Sequence, residues 1–223
     1  YNISHSEKEI AFIRNTLSKL DAIIDLDFFE MKHNNGSMLD IYHVNFSSGF
    51  NERTIGQAIA QTNSGGSWWD ISWRNHPVIQ GNNHDVNFNT IIHEIGHALG
   101  LSHPHDDPFD ENLDSFDTIM TYNNNDNELW NTKFSDVDIL ALQKIWGREN
   151  DNGKMRFIGQ SDDYKFDRSA AGIIQINTDI GSENINNLTT LEFNDKSVNV
   201  EEDIISIFKQ IQQTDSITGK IFR

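Results

Sequence analysis

The chain of 223 residues contains no cysteine and only three prolines. Without thiols there is no disulfide, no thiolate ligand and no cysteine nucleophile, so any metal must be held by histidine, carboxylate or tyrosine. The same absence leaves the redox compartment open. Positive charge is scarce too: 17 Lys and Arg face 34 Asp and Glu, a formal net charge of −17. A surface of that sign repels phosphates and anionic lipid, which argues against nucleic acid and membranes as partners. No apolar run approaches the roughly 18 residues of a bilayer-spanning helix, so no membrane insertion is expected. The opening YNISHSEKEI has no basic segment followed by an apolar core, so no signal peptide is visible and a trimmed or matured chain is expected. The length suits one main domain with a small appendage, and a monomer is the default expectation.

Against these absences stands one dense stretch, TIIHEIGHALGLSH at 90–103. His93 and His97 are four residues apart, so on a helix they lie one above the other on a single face. Glu94 follows the first of them. Two imidazoles with an adjacent carboxylate at this spacing suit a catalytic zinc with a general base. Gly100 falls where a left-handed residue can end the helix and turn the chain, which would bring His103 back as a third ligand. Three protein ligands leave a fourth position for water, the mark of a catalytic site. An ordinary amphipathic helix is the bland alternative, and the added Gly100 and His103 weigh against it.

The pattern His93-Glu94-x-x-His97-x-x-Gly100-x-x-His103 resembles the zinc signature of the metzincin metalloproteases, which is followed by a methionine turn. SFDTIMTY at 115–122 offers that turn, with Met120 and Tyr122. Pro104 after His103, and a tyrosine two places after the methionine, resemble the serralysins, secreted bacterial proteases. The resemblance covers residues 4–149 well and the remainder weakly. It implies an endopeptidase acting on proteins or peptides with one catalytic zinc, secreted to the cell exterior. Glu94 would be the general base and Tyr122 a further zinc ligand that swings away to stabilise the oxyanion. Met120 would form a floor under the ligands. The strand containing Ala58, Ile59, Ala60 and Gln61 would be the edge to which an extended substrate adds.

The implied fold is α+β: a twisted, mostly parallel sheet with an antiparallel edge strand plus long helices over 1–149, then a small β-rich segment over 150–223 ending in an amphipathic helix. The local patterns agree. Residues 4–24 carry an apolar stripe (Ile10, Ile13, Leu17, Leu20, Ile24) and a capping box at Ser6 and Glu9. Strands are expected at 26–33, 38–46, 56–61 and 67–73, with a turn at 34–37 in the first pair and one at 62–66 in the second. Residues 75–86 read as a loop, with Asn87 or Asn89 capping the zinc helix. A polar stretch at 123–133 is expected to wall the pocket that receives the residue after the cleaved bond. A last helix follows at 134–147, started by Ser135 and Asp138 and ended by Gly147. Trp68, Trp69 and Trp73 read as packing, and His33 and His43 as polar surface. Beyond 150, MRFIG, DYKF, GIIQINT and LTTLEF alternate as short strands do, and 200–213 is helical in pattern.

The acidic cluster Asp106, Asp107, Asp110, Glu111 and Asp114 could hold calcium through hard oxygen ligands. Its spacing fits no calcium loop, and solvated charge is the simpler reading. The glycine-aspartate repeats of serralysins are absent from the sequence. Two rival functions stand beside the protease. One is a metal-binding interaction module without proteolysis, against which Glu94 argues. The other is a matrixin-like enzyme with an additional structural zinc, for which His76 and His84 are sparse support.

Overall fold

Ser6 opens the first helix as its spacing predicts. Its hydroxyl accepts from the Glu9 N–H at 3.3 Å, and the Glu9 carboxylate accepts from the Ser6 N–H at 2.7 Å. Two otherwise orphaned helix-end donors are thereby satisfied. This helix, α1, runs Glu7–Asp21 and buries Leu20 and, just past its end, Ile24. The computed structural model describes residues 2–33, 36–46, 49–75, 84–151, 153–169, 171–178 and 181–209. The chain forms two compact units, Tyr1–Trp146 and Gly147–Arg223.

The first unit is a sheet backed by helices. Its strands are β1 (Asn2–Ile3), β2 (Leu39–Val44), β3 (Gly56–Asn63) and β4 (Gly66–Trp73), in the order β1-β2-β4-β3. The helices are α1, α2 (His84–Ala98) and α3 (Asp136–Trp146). The α+β class and the antiparallel edge strand are as the sequence implies. Among the described residues the parallel part of this sheet is one pairing, β2 with β4, while β1 and β3 both pair antiparallel. The reason lies at residues 26–33, expected as a strand: they form no ladder. Phe29 and Met31 on this stretch are exposed, while Leu26 and Phe28 are only half-buried. The turn expected at 34–37 lies in part outside the described residues, as do 76–83 of the loop before α2. Asn87 and Asn89 do not cap α2, because it already begins at His84.

β3 and β4 form a hairpin closed at Asn63 and Gly66, where Gly66 takes a positive φ that only glycine adopts readily. Arg74 N–H donates to the Ile55 carbonyl at 2.8 Å, and residues 57, 59, 61 and 63 pair opposite 72, 70, 68 and 66. Hydrogen-bonded and non-bonded pairs alternate in an antiparallel ladder. Counting from the Ile55–Arg74 bond, the backbone groups of Gly56, Ala58 and Ala60 therefore face away from β4, towards the open edge.

The second unit is strand-rich. Four strands, β5 (Asn150–Asp151), β6 (Lys154–Arg156), β10 (Thr190–Glu192) and β11 (Ser197–Asn199), make one sheet. Three more, β7 (Lys165–Arg168), β8 (Ile174–Thr178) and β9 (Gly181–Asn184), make another. Phe157, Ile176, Ile185, Leu191 and Val200 fill its core. The helix expected at 200–213 starts as a π-helical turn, Val200–Ile205; residues 210–213 lie outside the described ones.

His43 departs from expectation. It is buried on β2, stacked on Trp73 with ring centroids 3.9 Å apart. His5 lies beside both rings, and Glu9 of α1 approaches Nδ1 at 3.7 Å. Burial lowers the His43 pKa, against the pull of Glu9; burial likewise lowers that of His5, with Glu9 opposing and His43 adding to the fall. The unfolded chain then binds protons near the ordinary value of about 6.5 that the folded chain does not. Stability is therefore fully present above about pH 6.5 and is lost as pH falls below it. We predict that His43→Phe, which keeps the stack, flattens the loss of urea midpoint between about pH 7 and 5. Equal slopes for variant and wild type would refute this.

Candidate metal centre

Helix α2 presents His93 and His97 on one face and ends so as to deliver His103. Gly100, at φ +102°, terminates it with a paired set of bonds: Leu101 N–H to the Gly96 carbonyl at 2.9 Å, and Gly100 N–H to the His97 carbonyl at 3.0 Å. This left-handed cap satisfies the last carbonyls and reverses the chain. It also places the Leu101 carbonyl 2.9 Å from Nδ1 of His97, while the Ile119 carbonyl lies 2.8 Å from Nδ1 of His93. The helix end and the methionine turn each orient one imidazole.

A carbonyl oxygen can only accept, so both Nδ1 atoms carry the proton and both Nε2 atoms keep a lone pair. Those two Nε2 atoms stand 3.1 Å apart. Two lone pairs facing each other at that distance repel unless a cation lies between them. Nε2 of His103 is buried without a hydrogen-bond partner, and one nitrogen from each of the three histidines falls within a sphere where all lie within 4.8 Å of one another. Burial, with the neighbouring His97 and His103, depresses the His93 pKa to about 3 although the Ile119 carbonyl opposes this. A proton is thus a poor occupant and a divalent metal a good one. The donor set fits zinc, which takes neutral imidazole nitrogens.

Glu94 sits beside this group, 6 % exposed. Burial raises its pKa to about 8, against a hydrogen bond from the Ala58 backbone. Tyr122 is 44 % exposed, and its ring centroid lies 5.2 Å from that of His93 and 5.0 Å from that of His103. Burial and then the Glu94 charge raise its pKa. Met120 is buried, and a Cβ added at Gly96 would meet its sulfur at 2.7 Å. The sulfur therefore lies directly against the helix turn that carries His97. Ala58, Ile59, Ala60 and Gln61 lie on β3 at the end of the sheet order. His105, two residues beyond His103, is not in the converging group; it and Asp106 take left-handed φ values of 52° and 60°.

The acidic stretch after His103 uses its carboxylates locally. Asp107, Asp110 and Asp114 each accept from a backbone N–H two residues on, at 3.0, 3.0 and 2.6 Å. The polar stretch at 123–133 is tied inwards: Asn131 N–H donates to the Ser115 hydroxyl, and its carbonyl accepts from the Asn89 amide of α2 at 2.8 Å.

One residue supporting the site carries no mark of that role in the sequence. Asp138, expected only as a helix-start residue, is 3 % exposed. It completes a capping box with Ser135, and it also accepts from the Thr118 hydroxyl at 2.6 Å and the Ile119 N–H at 2.9 Å. This carboxylate pins the methionine turn to the start of α3, and with it the carbonyl that orients His93. We predict that Asp138→Ala costs about 3 kcal/mol of stability, since it strands several buried donors, and that it weakens zinc binding. Urea unfolding and a zinc competition titration check this; an unchanged urea midpoint would count against the pinning role.

The family model described as Matrixin matches residues 2–147, from β1 to the residue after α3. No curated protein matches the chain. A family match over most of the chain agrees with what the geometry already requires of the histidines, and the chain belongs to the matrixins, a metzincin family of zinc metalloproteases.

Proposed function

We propose that this chain is a secreted zinc endopeptidase in which His93, His97 and His103 hold the metal and Glu94 is the general base. The observation that carries the reading is the convergence of three imidazole nitrogens with unshared lone pairs beside a buried carboxylate. A site built only to hold metal has no use for that carboxylate. Bound zinc supplies Lewis acidity, which polarises a peptide carbonyl and acidifies the attacking water. Glu94 takes the proton of that water and hands it to the departing amine. The outward carbonyl of Ala58 and the outward backbone groups of Ala60 hold an extended peptide along β3, with Ile59 and Gln61 on the same edge strand.

Within the metzincins, Pro104, Met120 and Tyr122 favour a serralysin-like arrangement. Tyr122 stands against His93 and His103, and its exposure leaves it room to turn towards the carbonyl oxygen of a bound peptide. Met120 supports the histidines from below. Residues 1–149 form the protease domain, with 150–223 a small β-rich appendage. The family match favours a second reading, a matrixin-like enzyme with an additional structural zinc, and metal counting separates them: one zinc per chain for the first and two for the second. Secretion rests on the family.

The test is cleavage of a diverse peptide library read by mass spectrometry. Wild type should cut peptides. Glu94→Ala should retain zinc and lose about 100-fold or more in turnover, whereas His97→Ala should lose the metal. Tyr122→Phe should keep zinc with a smaller loss of rate. Unchanged turnover in Glu94→Ala would remove it as the base. A zinc-loaded wild type that cuts nothing would favour the interaction module.

A further inference from the structure

Gly56 has no conformational reason to be glycine: it lies in a regular strand and does not take a left-handed φ. It has a steric one. A Cβ at this position would stand 2.4 Å from Oε1 of Glu94 and 2.8 Å from its Cγ, and 2.7 Å from Cγ2 of Thr90. These distances are shorter than non-bonded carbon and oxygen atoms tolerate, so the Glu94 side chain occupies the space that a side chain at 56 would fill. Two residues on, Ala58 shares Gly56's orientation in the ladder, with its N–H turned away from β4. That N–H favours the charged form of the Glu94 carboxylate, opposing the effect of burial.

We propose that β3 is the seat of the general base: Gly56, by lacking a side chain, and Ala58, through its outward N–H, position the Glu94 carboxylate. Both are positioning residues, and the role of Glu94 itself rests on the protease reading above. The seat gives the edge strand two duties at once. Ala58 N–H serves the base, which leaves the Ala58 carbonyl and both backbone groups of Ala60 for a peptide in the cleft. The base and the peptide are thereby held by one piece of backbone. Placement errors of about 1 Å in a reacting group cost about 100-fold in rate, so a shared support of this kind bears directly on turnover.

The test uses zinc-loaded full-length wild type, Gly56→Ala, Gly56→Ala/Thr90→Ser and Glu94→Ala. The serine removes the Cγ2 contact and keeps the hydroxyl that bonds the Val86 carbonyl at 2.8 Å, so the double variant folds if crowding at Thr90 is what harms the single one. Two readouts are taken: steady-state kinetics on a peptide that wild type cleaves, and the Ala58 amide resonance in a ¹H–¹⁵N spectrum. In both Gly56 variants kcat should fall by about tenfold or more, with KM within about twofold and zinc retained. The Ala58 resonance should move in the direction it takes in Glu94→Ala. An Ala58 resonance that stays at its wild-type position in the folded Gly56 variants overturns the inference, whatever the activity does. If wild type cleaves nothing, the protease reading fails by itself, and the Ala58 resonance still decides whether β3 seats Glu94.

Discussion

Two backbone carbonyls fix the chemistry of this protein. By accepting from Nδ1 of His93 and of His97, Ile119 and Leu101 dictate which ring nitrogen keeps its lone pair, and so where a metal would stand. Several contacts near the site place those carbonyls. The left-handed cap at Gly100 fixes the second. The first belongs to the methionine turn, which the buried Asp138 ties to α3. Tyr122 N–H and the Thr121 hydroxyl both donate to the Pro108 carbonyl, at 2.7 and 2.9 Å, so the far end of the turn is anchored to the loop that follows His103. α3 closes the circuit: its Trp146 indole donates to the Leu99 carbonyl at 2.8 Å, at the end of α2.

The parts of this arrangement that were legible in the sequence are those with a short repeat. Histidines four apart, a glycine three residues later and a capping box at Ser6 and Glu9 are local relations, and local relations survive being read in one dimension. The contribution of Asp138 to the methionine turn spans 20 residues, and that of Gly56 to Glu94 joins a strand to a helix. Neither residue type announces its partner. A capping aspartate looks the same whether it serves one helix or also a turn elsewhere, and a strand glycine looks like a weak point until something is found in the space it leaves. His43 was illegible for a related reason: a histidine on a strand has no sequence mark of burial, and only the ring of Trp73 across the β2–β4 pairing makes it part of the core. Residues 26–33 show the opposite failure. Their composition suits a strand, yet strand propensity records how a side chain fits a covered, pleated surface, and exposed Phe29 and Met31 have none.

The second unit was readable as strands because its residues alternate, and it holds a buried charge that no alternation reveals. Arg148 is buried against Glu183 at 2.7 Å, with its guanidinium 4.7 Å from the centroid of the Phe157 ring. One cation therefore ties the entry of this unit to β9 and to its aromatic core. The desolvation cost of such a buried pair offsets much of its Coulombic gain.

The edge strand carries a consequence for how the protein behaves in a crowd. β3 is eight residues long, GQAIAQTN, with no proline, lysine or other charged residue to blunt it. An unguarded edge invites strands from other copies as readily as it receives a peptide. The protection is instead spread over the molecule: a net charge of −17 makes like copies repel before their edges meet. Colloidal stability and an open binding edge are reconciled by distance, since charge acts across the approach and the strand only at contact. The acidity that argues against anionic partners thus also acts against edge-to-edge pairing of copies.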